Sequence, residues 1–525
     1  MLLPVRFVLT AANRYVRADE ASSSVTGRCD KGMSVMIGTK ALWLVSVAGL
    51  AGPAFAQQAE PQIQQPRTTA PAANPQMVQA VPAPVQIPPL SDAQATELRA
   101  LLADNARAEG LRSAGDTRLQ PVSTAQDALV SAALDHARAV HAGRLAEEDF
   151  QEDWALRPQY FDPRPGFAKA VADNRIGQWF ASLPPPWAGY DGLKTGLQRY
   201  RQIVADGGWS SIPAGPDLSV GSSGARVAAL RKRLAVEDNT VSTTGDRFDA
   251  ALKEAVVRAQ RRYGLNPSGL VSTQTLAALN VPAQDRVRQI MANMERWRWM
   301  PHELPANRIQ VNIAAAIVTV FEGDKPVMSL RGVTGKVGTE TPMLSSTIHS
   351  IVLNPPWNVP ASIAREELFP KGMAYLKAND FRVIGEGPNR RLQQIAGPKA
   401  ALGRFKFDFD NPFAVYLHDT PAKAGFSRFD RLASHGCIRL EKPHELANYL
   451  LRTSTDWTEA KVQETLDSGK TVRAQLKTPA EVYLLYWTAF ASANGDVNFR
   501  ADPYGWDAKL ADKIEARQSR QIAAR

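Results

Sequence analysis

Cysteine is nearly missing from this chain: among 525 residues there are two, Cys29 and Cys437, too few for the disulfide frameworks that staple small secreted domains. Long apolar runs are missing as well. Ala41–Ala51 comes nearest, and its eleven residues are about half of the roughly twenty that a bilayer-spanning helix needs. Acidic residues fall short of basic ones, 52 against 62, for a net charge of +10. That balance suits a polyanionic surface without selecting one. The apolar share of 44% excludes a fibrous or wholly disordered chain, and the length leaves room for two to four domains.

What is present begins with MSVMIGTKALWLVSVAGLAGPAFAQQ, residues 33–58. Lys40 supplies a positive flank, Ala41–Ala51 an apolar stretch and Ala54-Phe55-Ala56 a small-x-small cleavage pattern. The expectation is an export signal within residues 1–56, translation starting at Met33 or Met36, and a periplasmic protein; an uncleaved inner-membrane anchor is the alternative. Cleavage after Ala56 removes Cys29 and leaves Cys437 alone. A lone thiol kept in an oxidising compartment argues for chemistry. Residues 57–90 are Pro, Gln and Ala with almost no charge, an extended tether.

Ser91-x-x-Gln94 is a capping-box pattern, followed by Leu98, Leu101 and Leu102 on one helical face. Leu129, Ala133, His136 and Val140 mark a second helix. His136 and His141 have no acid or thiol at metal spacing and read as packing or surface residues. Residues 91–208 are therefore expected to form an α-helical scaffold. In residues 215–283 the chain carries Leu218, Gly221, Gly224, Val227 and Leu230, then Gly245, Phe248 and Asp249, then Gln260, Gly264, Leu265, Gly269, Val271, Thr275 and Leu279. This pattern resembles the three-helix peptidoglycan-binding domain, departing from it at Ala259, where an aromatic is usual. A connecting helix is expected at 284–306.

From 307 the texture turns to β, with short Val/Ile/Thr-rich stretches cut by Gly, Asp and Pro. Residues 307–490 read as one domain, 366–397 as an insertion capping it and 491–525 as a C-terminal extension. Within SHGCIRL, residues 434–440, stands Cys437. A thiol attacks as thiolate, so a neighbour must accept its proton or stabilise the anion. Two histidines qualify, His418 in VYLHDTP and His435 beside the thiol, and spacing does not choose between them. Zinc held by His418, His435 and Cys437 is the rival chemistry, although H-G-C is tight for ligands. Gly436 lets backbone approach a substrate, and the Gly436 and Cys437 N–H groups are candidates for an oxyanion hole.

The run from His418 to Leu440 resembles the L,D-transpeptidases with a YkuD-type catalytic domain. Asn354-Pro355-Pro356-Trp357-Asn358-Val359-Pro360, Ser362 to Glu366, Gly397-Pro398, Ala401-Leu402-Gly403 and Tyr483 to Ala489 extend the likeness to the large YcbB-like branch. The resemblance implies a multidomain α+β fold: a mainly-β catalytic domain with an inserted cap, a helical scaffold and a three-helix wall-binding domain. It implies Cys437 as nucleophile and His418 as base, held by the Asp419 carbonyl. His435, Gly436 and the Cys437 amide would shape the oxyanion site, Ser434 would orient hydrogen bonds, and Arg439 would bind a substrate carboxylate. Tyr416 and Trp357 would wall the groove.

The implied reaction joins diaminopimelate residues of two tetrapeptide stems through a Cys thioester, releasing D-alanine. The alternatives are a wall carboxypeptidase or endopeptidase, and an enzyme attaching a lipoprotein lysine to the wall; a non-catalytic wall-binding protein is the remaining class. Stem peptides and glycan are the expected partners, other wall synthases a further one, and carbapenems the covalent inhibitors. No cofactor, metal or nucleic acid is implied. The cap reads as a lid that excludes water from the thioester.

Overall fold

The computed structural model describes residues 85–111, 125–492 and 495–523; the expected export signal, Cys29 and most of the tether lie outside them. No helix among the described residues is long and apolar enough to cross a membrane.

Ser91 caps α1 (Asp92–Ala108), accepting from the Gln94 N–H at 3.3 Å while Gln94 Oε1 accepts from the Ser91 N–H at 3.0 Å. Leu98 and Leu102 pack with the buried stripe Leu129, Ala133 and Val140 of α2 (Gln126–His141). Phe167 and Val171 of α3 (Pro163–Ala172) and Phe180 of α4 (Ile176–Ala181) complete this small core. His136 stacks on Phe180 at 5.2 Å, and His141 stacks on Phe161 at 3.8 Å and on His302 at 3.7 Å. Burial holds both imidazoles down to about 4, so they are neutral packing groups near pH 7.

The next helix, α5 (Ala188–Ala205), leaves that core. Its Tyr190, Leu193, Leu197 and Tyr200 pack with α6 (Ala225–Ala235), α7 (Ala250–Arg262) and α8 (Thr273–Asn280). The pattern residues of this three-helix unit build its interior: Leu218, Val227, Leu230, Phe248, Val271 and Leu279 are all buried. Gln260 is a bolt, its buried amide donating to Leu270 O at 2.8 Å and Thr275 Oγ1 at 3.1 Å and accepting from the Gly269 N–H at 2.9 Å. Gly264 sits at φ +65°, and any Cβ there would stand 2.4 Å from Arg500 Cδ.

Following it, α9 (Ala283–Trp297) is buried along almost its whole length. It is a central pillar, where the sequence suggested only a connector. Glu295, fully buried, receives Arg144 Nε at 3.1 Å and Arg298 Nη1 at 2.9 Å, and Arg298 Nη2 donates to Tyr190 Oη at 2.9 Å. Opposing cations hold the Glu295 carboxyl below its usual range against burial, the largest influence, which pushes it up. Glu295→Ala leaves two buried guanidiniums uncompensated, and a loss of about 3–5 kcal/mol is expected by urea denaturation. A change under about 1 kcal/mol would show that the network relaxes into solvent.

The β region starts with β1 (Asn307–Asn312), β2 (Ile317–Glu322), β3 (Lys325–Gly335) and β4 (Leu344–Leu353). A cap follows: β5 (Trp357–Asn358), α10 (Ala361–Ile363), a π-turn at Ala364–Leu368, α11 (Gly372–Ala378), β6 (Phe381–Ile384) and β7 (Arg391–Gln394). Then come β8 (Phe405–Phe409), β9 (Leu417–His418), β10 (Leu432–Ser434), β11 (Ile438–Leu440), α12 (Pro443–Leu451), α13 (Glu459–Asp467) and β12 (Val472–Leu485). Among the described residues the main sheet has nine strands in the order β10-β3-β11-β9-β8-β4-β12-β1-β2, and β2 also pairs with β3, closing the sheet on itself. Alternation does the sorting: Ile309, Val311, Val318 and Val320 point into the core and their neighbours point out.

The cap is a small folded unit with its own core of Val359, Ala364, Leu368, Leu376 and Leu392. It begins at Trp357, earlier than the expected 366, because Trp357 and Asn358 pair with Gln394 and Gln393. The segment after 490 is no appendage either. Ala489, Val497 and Phe499 of the hairpin β13 (Ala489–Ala491) and β14 (Val497–Phe499) enter the core of α5 to α9, while Trp506 and Leu510 of α14 (Trp506–Ala523) enter the sheet core.

Candidate active site

The thiol sits where the chain crosses the end of β3. β10 pairs with Thr334 and Gly335 in parallel, and β11 pairs with Gly332 and Val333 antiparallel, so His435, Gly436 and Cys437 pass from one edge of β3 to the other. Gly436 adopts φ +103°, open to glycine at no steric cost, and a Cβ there would also meet Glu340 O at 3.2 Å. Gly335 is needed for closeness: a Cβ would lie 2.2 Å from Thr339 O.

Hydrogen bonds brace this crossing from several sides. Ser434, buried, donates from Oγ to Cys437 O at 2.6 Å and accepts from the Gly436 N–H at 3.2 Å. Thr341 Oγ1 donates to Gly436 O at 2.7 Å and accepts from the Gly335 N–H at 2.9 Å. Thr339 Oγ1 and the Lys336 N–H both donate to Ser434 O at 3.0 Å. Tyr504, from beyond the sheet, donates to Gly335 O. The Gly436 N–H is thus engaged by Ser434, whereas the Cys437 N–H has no protein partner among the described residues.

β9 lies parallel to β11, with Leu417 beside Ile438 and His418 beside Arg439. The two-residue repeat therefore puts Tyr416, His418, Cys437 and Arg439 on one face of the sheet. His418 is buried, and its Nδ1 bonds the Asp419 carbonyl. With Nδ1 carrying the proton, Nε2 is the basic nitrogen. Burial first and the Arg439 guanidinium second hold this imidazole down to about 4. Burial also pushes the Cys437 thiol up, against the Tyr416 N–H and hydroxyl and the Lys406 and Arg439 cations that favour the thiolate. The thiol also lies 4.0 Å from Ala414 O, an acceptor. Imidazole and thiol are thus both uncharged near pH 7.

The Tyr416 ring stands edge-on to His418 at 5.6 Å, under Lys406 Nζ at 4.2 Å. Its hydroxyl lies between the thiol and the Trp357 side chain, and burial pushes its pKa up. Trp357 reaches this groove from the start of the cap. Arg439 has no hydrogen-bonding or ion-pair partner among the described residues, and burial lowers its pKa.

Two further side chains make contacts that the sequence does not indicate. The Asp419 carboxylate is buried and turned from the imidazole: it accepts from the Arg404 and Thr420 N–H groups at 2.7 Å each and from Lys423 Nζ at 2.6 Å. Gly403 at φ +59° makes room for it, since a Cβ there would stand 2.3 Å from Asp419 Cγ. Asp419 clamps the cap's exit to the base strand. His435 is half-exposed, its Nε2 on Glu367 Oε1 of the π-turn at 2.7 Å. It thus ties the thiol loop to the cap. Glu367, Thr341 and Tyr504 carried no signal in sequence, each acting through contacts made only by folding.

Residues 306–473 match the family model described as YkuD, the L,D-transpeptidase catalytic domain; 223–279 match "Putative peptidoglycan binding domain", and 90–197 match "Scaffold domain". A Haemophilus influenzae protein named "Putative L,D-transpeptidase" is 31% identical over 243 residues, 42% of this chain and 49% of its own. The chain thus spans about half the length of this curated relative. Among solved structures, an L,D-transpeptidase from Xylanimonas cellulosilytica is 17% identical, with 52% of this chain and 99% of that one covered and a TM-score of 0.18. L,D-transpeptidase 3 from Mycobacterium tuberculosis, in complex with a faropenem-derived adduct, is 13% identical, covering 34% and 60% at a TM-score of 0.19.

Proposed function

The chain carries an L,D-transpeptidase catalytic domain of the YkuD family behind a scaffold domain and a peptidoglycan-binding domain, and from that premise we propose that it crosslinks peptidoglycan stems through a thioester on Cys437. The observation that carries the reading is a lone thiol sharing one sheet face with an imidazole whose Nδ1 is pinned to a carbonyl.

In this reading His418 Nε2 takes the thiol proton as Sγ adds to the carbonyl of the third stem residue, diaminopimelate. The negative oxygen rests on the Cys437 N–H. The protonated imidazole then gives its proton to the departing D-alanine amine, leaving the acyl group on sulfur. The side-chain amine of a second stem attacks the thioester, His418 accepts its proton and returns it to sulfur, and a diaminopimelate-to-diaminopimelate amide is left. Arg439, unpartnered beside the base, suits a substrate carboxylate. Tyr416 and Trp357 wall the groove, and the cap limits water. Carbapenems would acylate the same sulfur. The reading places the protein in the periplasm, on the pattern of residues 33–58.

Purified protein incubated with tetrapeptide-stem muropeptides tests it by mass spectrometry. The expected product is a dimer one D-alanine lighter than its two substrates, absent when a carbapenem is added first. Tripeptide monomer alone would make the protein a carboxypeptidase, and unchanged substrate would end the acyl-transfer reading.

A further inference from the structure

A second cleft, of about 720 Å³, opens on the outside of the closed sheet, away from the nucleophile loop. That volume falls within the roughly 300–1,000 Å³ of small-ligand sites. Its floor is the outer face of β1, β2 and β3. Register sets Gln310 beside Thr319 and Thr319 beside Ser329, so an amide and two hydroxyls form a row across three strands at about 4.8 Å spacing. Aromatic rings flank that row: Phe321 from β2, Trp187 at the start of α5, Phe490 from β13, and Trp487, stacked on Trp297 at 4.5 Å and 15°.

Gln310 is the telling residue. It is 8% exposed, and its carboxamide opens on the cleft and bonds no protein group among the described residues. Solvent in the cleft reaches that amide, so a ligand with a polar rim can take the place of water there. An outward-facing sheet position could hold Val or Ile here, as the inward-facing positions do. The neighbouring cations are already engaged: Arg308 donates to Pro305 O, and Arg500 donates to Phe499 O and Arg262 O. The cleft therefore offers little to a charged chain. It offers flat apolar walls and a neutral hydrogen-bonding row.

We infer that this cleft binds an N-acetylated hexosamine oligosaccharide, the glycan strand of the wall, with its pyranose faces on the aromatic walls and its hydroxyl and acetamido rim on Gln310, Thr319 and Ser329. A pyranose ring matches that division, hydrocarbon on its faces and polar at its edge. The inference rests on the proposed wall substrate and adds a glycan site outside the three-helix domain. β3 links the two sites: six residues separate Ser329 from Gly335, roughly 20 Å of strand. An extended stem reaches only about 10 Å from its sugar to its third residue, so a sugar in the cleft belongs to a neighbouring unit of the strand whose stem lies at the thiol.

The probe is chitohexaose, an N-acetylglucosamine hexamer without peptide, titrated into the full chain while tryptophan fluorescence is followed. Saturable binding is expected. Gln310→Leu should weaken it at least tenfold, and Thr319→Val, which removes one hydroxyl at nearly constant volume, by a smaller measurable factor, both with unchanged thermal unfolding. No saturation in the wild-type chain, equal affinity in both variants, or displacement of the sugar by glycan-free tetrapeptide would each overturn the inference. Acylation of Cys437 by that tetrapeptide, read by intact mass on the same preparation, separates the readings: an adduct without sugar binding defeats the cleft alone, and no adduct defeats the transpeptidase.

Discussion

Cys437→Ala is expected to yield no covalent adduct and no crosslinked product, whatever stem peptide or carbapenem is supplied, while binding to purified sacculi stays within twofold of wild type. The loss should be complete because nothing can stand in for the sulfur. Cys29 is the only other cysteine, and it precedes the expected cleavage point. Cys437 is the thiol that shares the sheet face of His418, and without it the pocket keeps an oxyanion donor but no atom to carry the acyl group. The sacculus arm separates catalysis from adhesion: the three-helix domain's interior lies in a different core from the thiol. An adduct mass on the variant would move the nucleophile elsewhere and end the proposal.

His418→Ala is expected to lower the rate of thioester formation by about 10²–10⁴-fold, the usual worth of a positioned general base. The pH profile makes the test specific. With the imidazole held down to about 4, it stays neutral and able to accept a proton throughout the neutral range. The thiol, pushed up by burial, stays protonated there. The acylation rate should then be flat from about pH 5 to 8 and fall only as the base protonates near 4, with no inflection at the ordinary histidine value of about 6.5. A preformed thiolate–imidazolium pair would need the opposite shifts on both groups. A clear inflection between 6 and 7 in stopped-flow acylation would contradict the neutral pair.

Those shifts were not legible in the sequence, where a catalytic thiol suggested an anion made ready by its neighbours. Residue identity says that His418 can accept a proton; only burial and the position of Arg439 say in which state it waits. The three-helix pattern was readable because its Leu, Val and Phe positions report the interior of one short segment, and the Ser91–Gln94 cap because it is local. Asp419 shows the limit. The resemblance implied that its carbonyl holds the His418 ring, and His418 Nδ1 does bond that carbonyl, but nothing in the sequence shows that its carboxylate is held by Arg404, Thr420 and Lys423. Helix α5 lies inside the 91–208 region read as scaffold, yet it packs with α6 to α8, because residue type says that a helix packs and nothing about against what. The same ambiguity hid α9 and the hairpin after β12, whose partners lie up to about two hundred residues away in the chain.

The return of Val497 and Phe499 to the core built by α5 through α9 has a consequence for biogenesis. A polypeptide emerging amino end first would ordinarily settle each unit as it appears. Here the front half lacks part of its interior until the last thirty or so residues have been delivered. On the proposed periplasmic reading, translocation must deliver Val497 and Phe499 before that core can close, and a chain arrested earlier would leave a sticky, half-built surface for proteases to find.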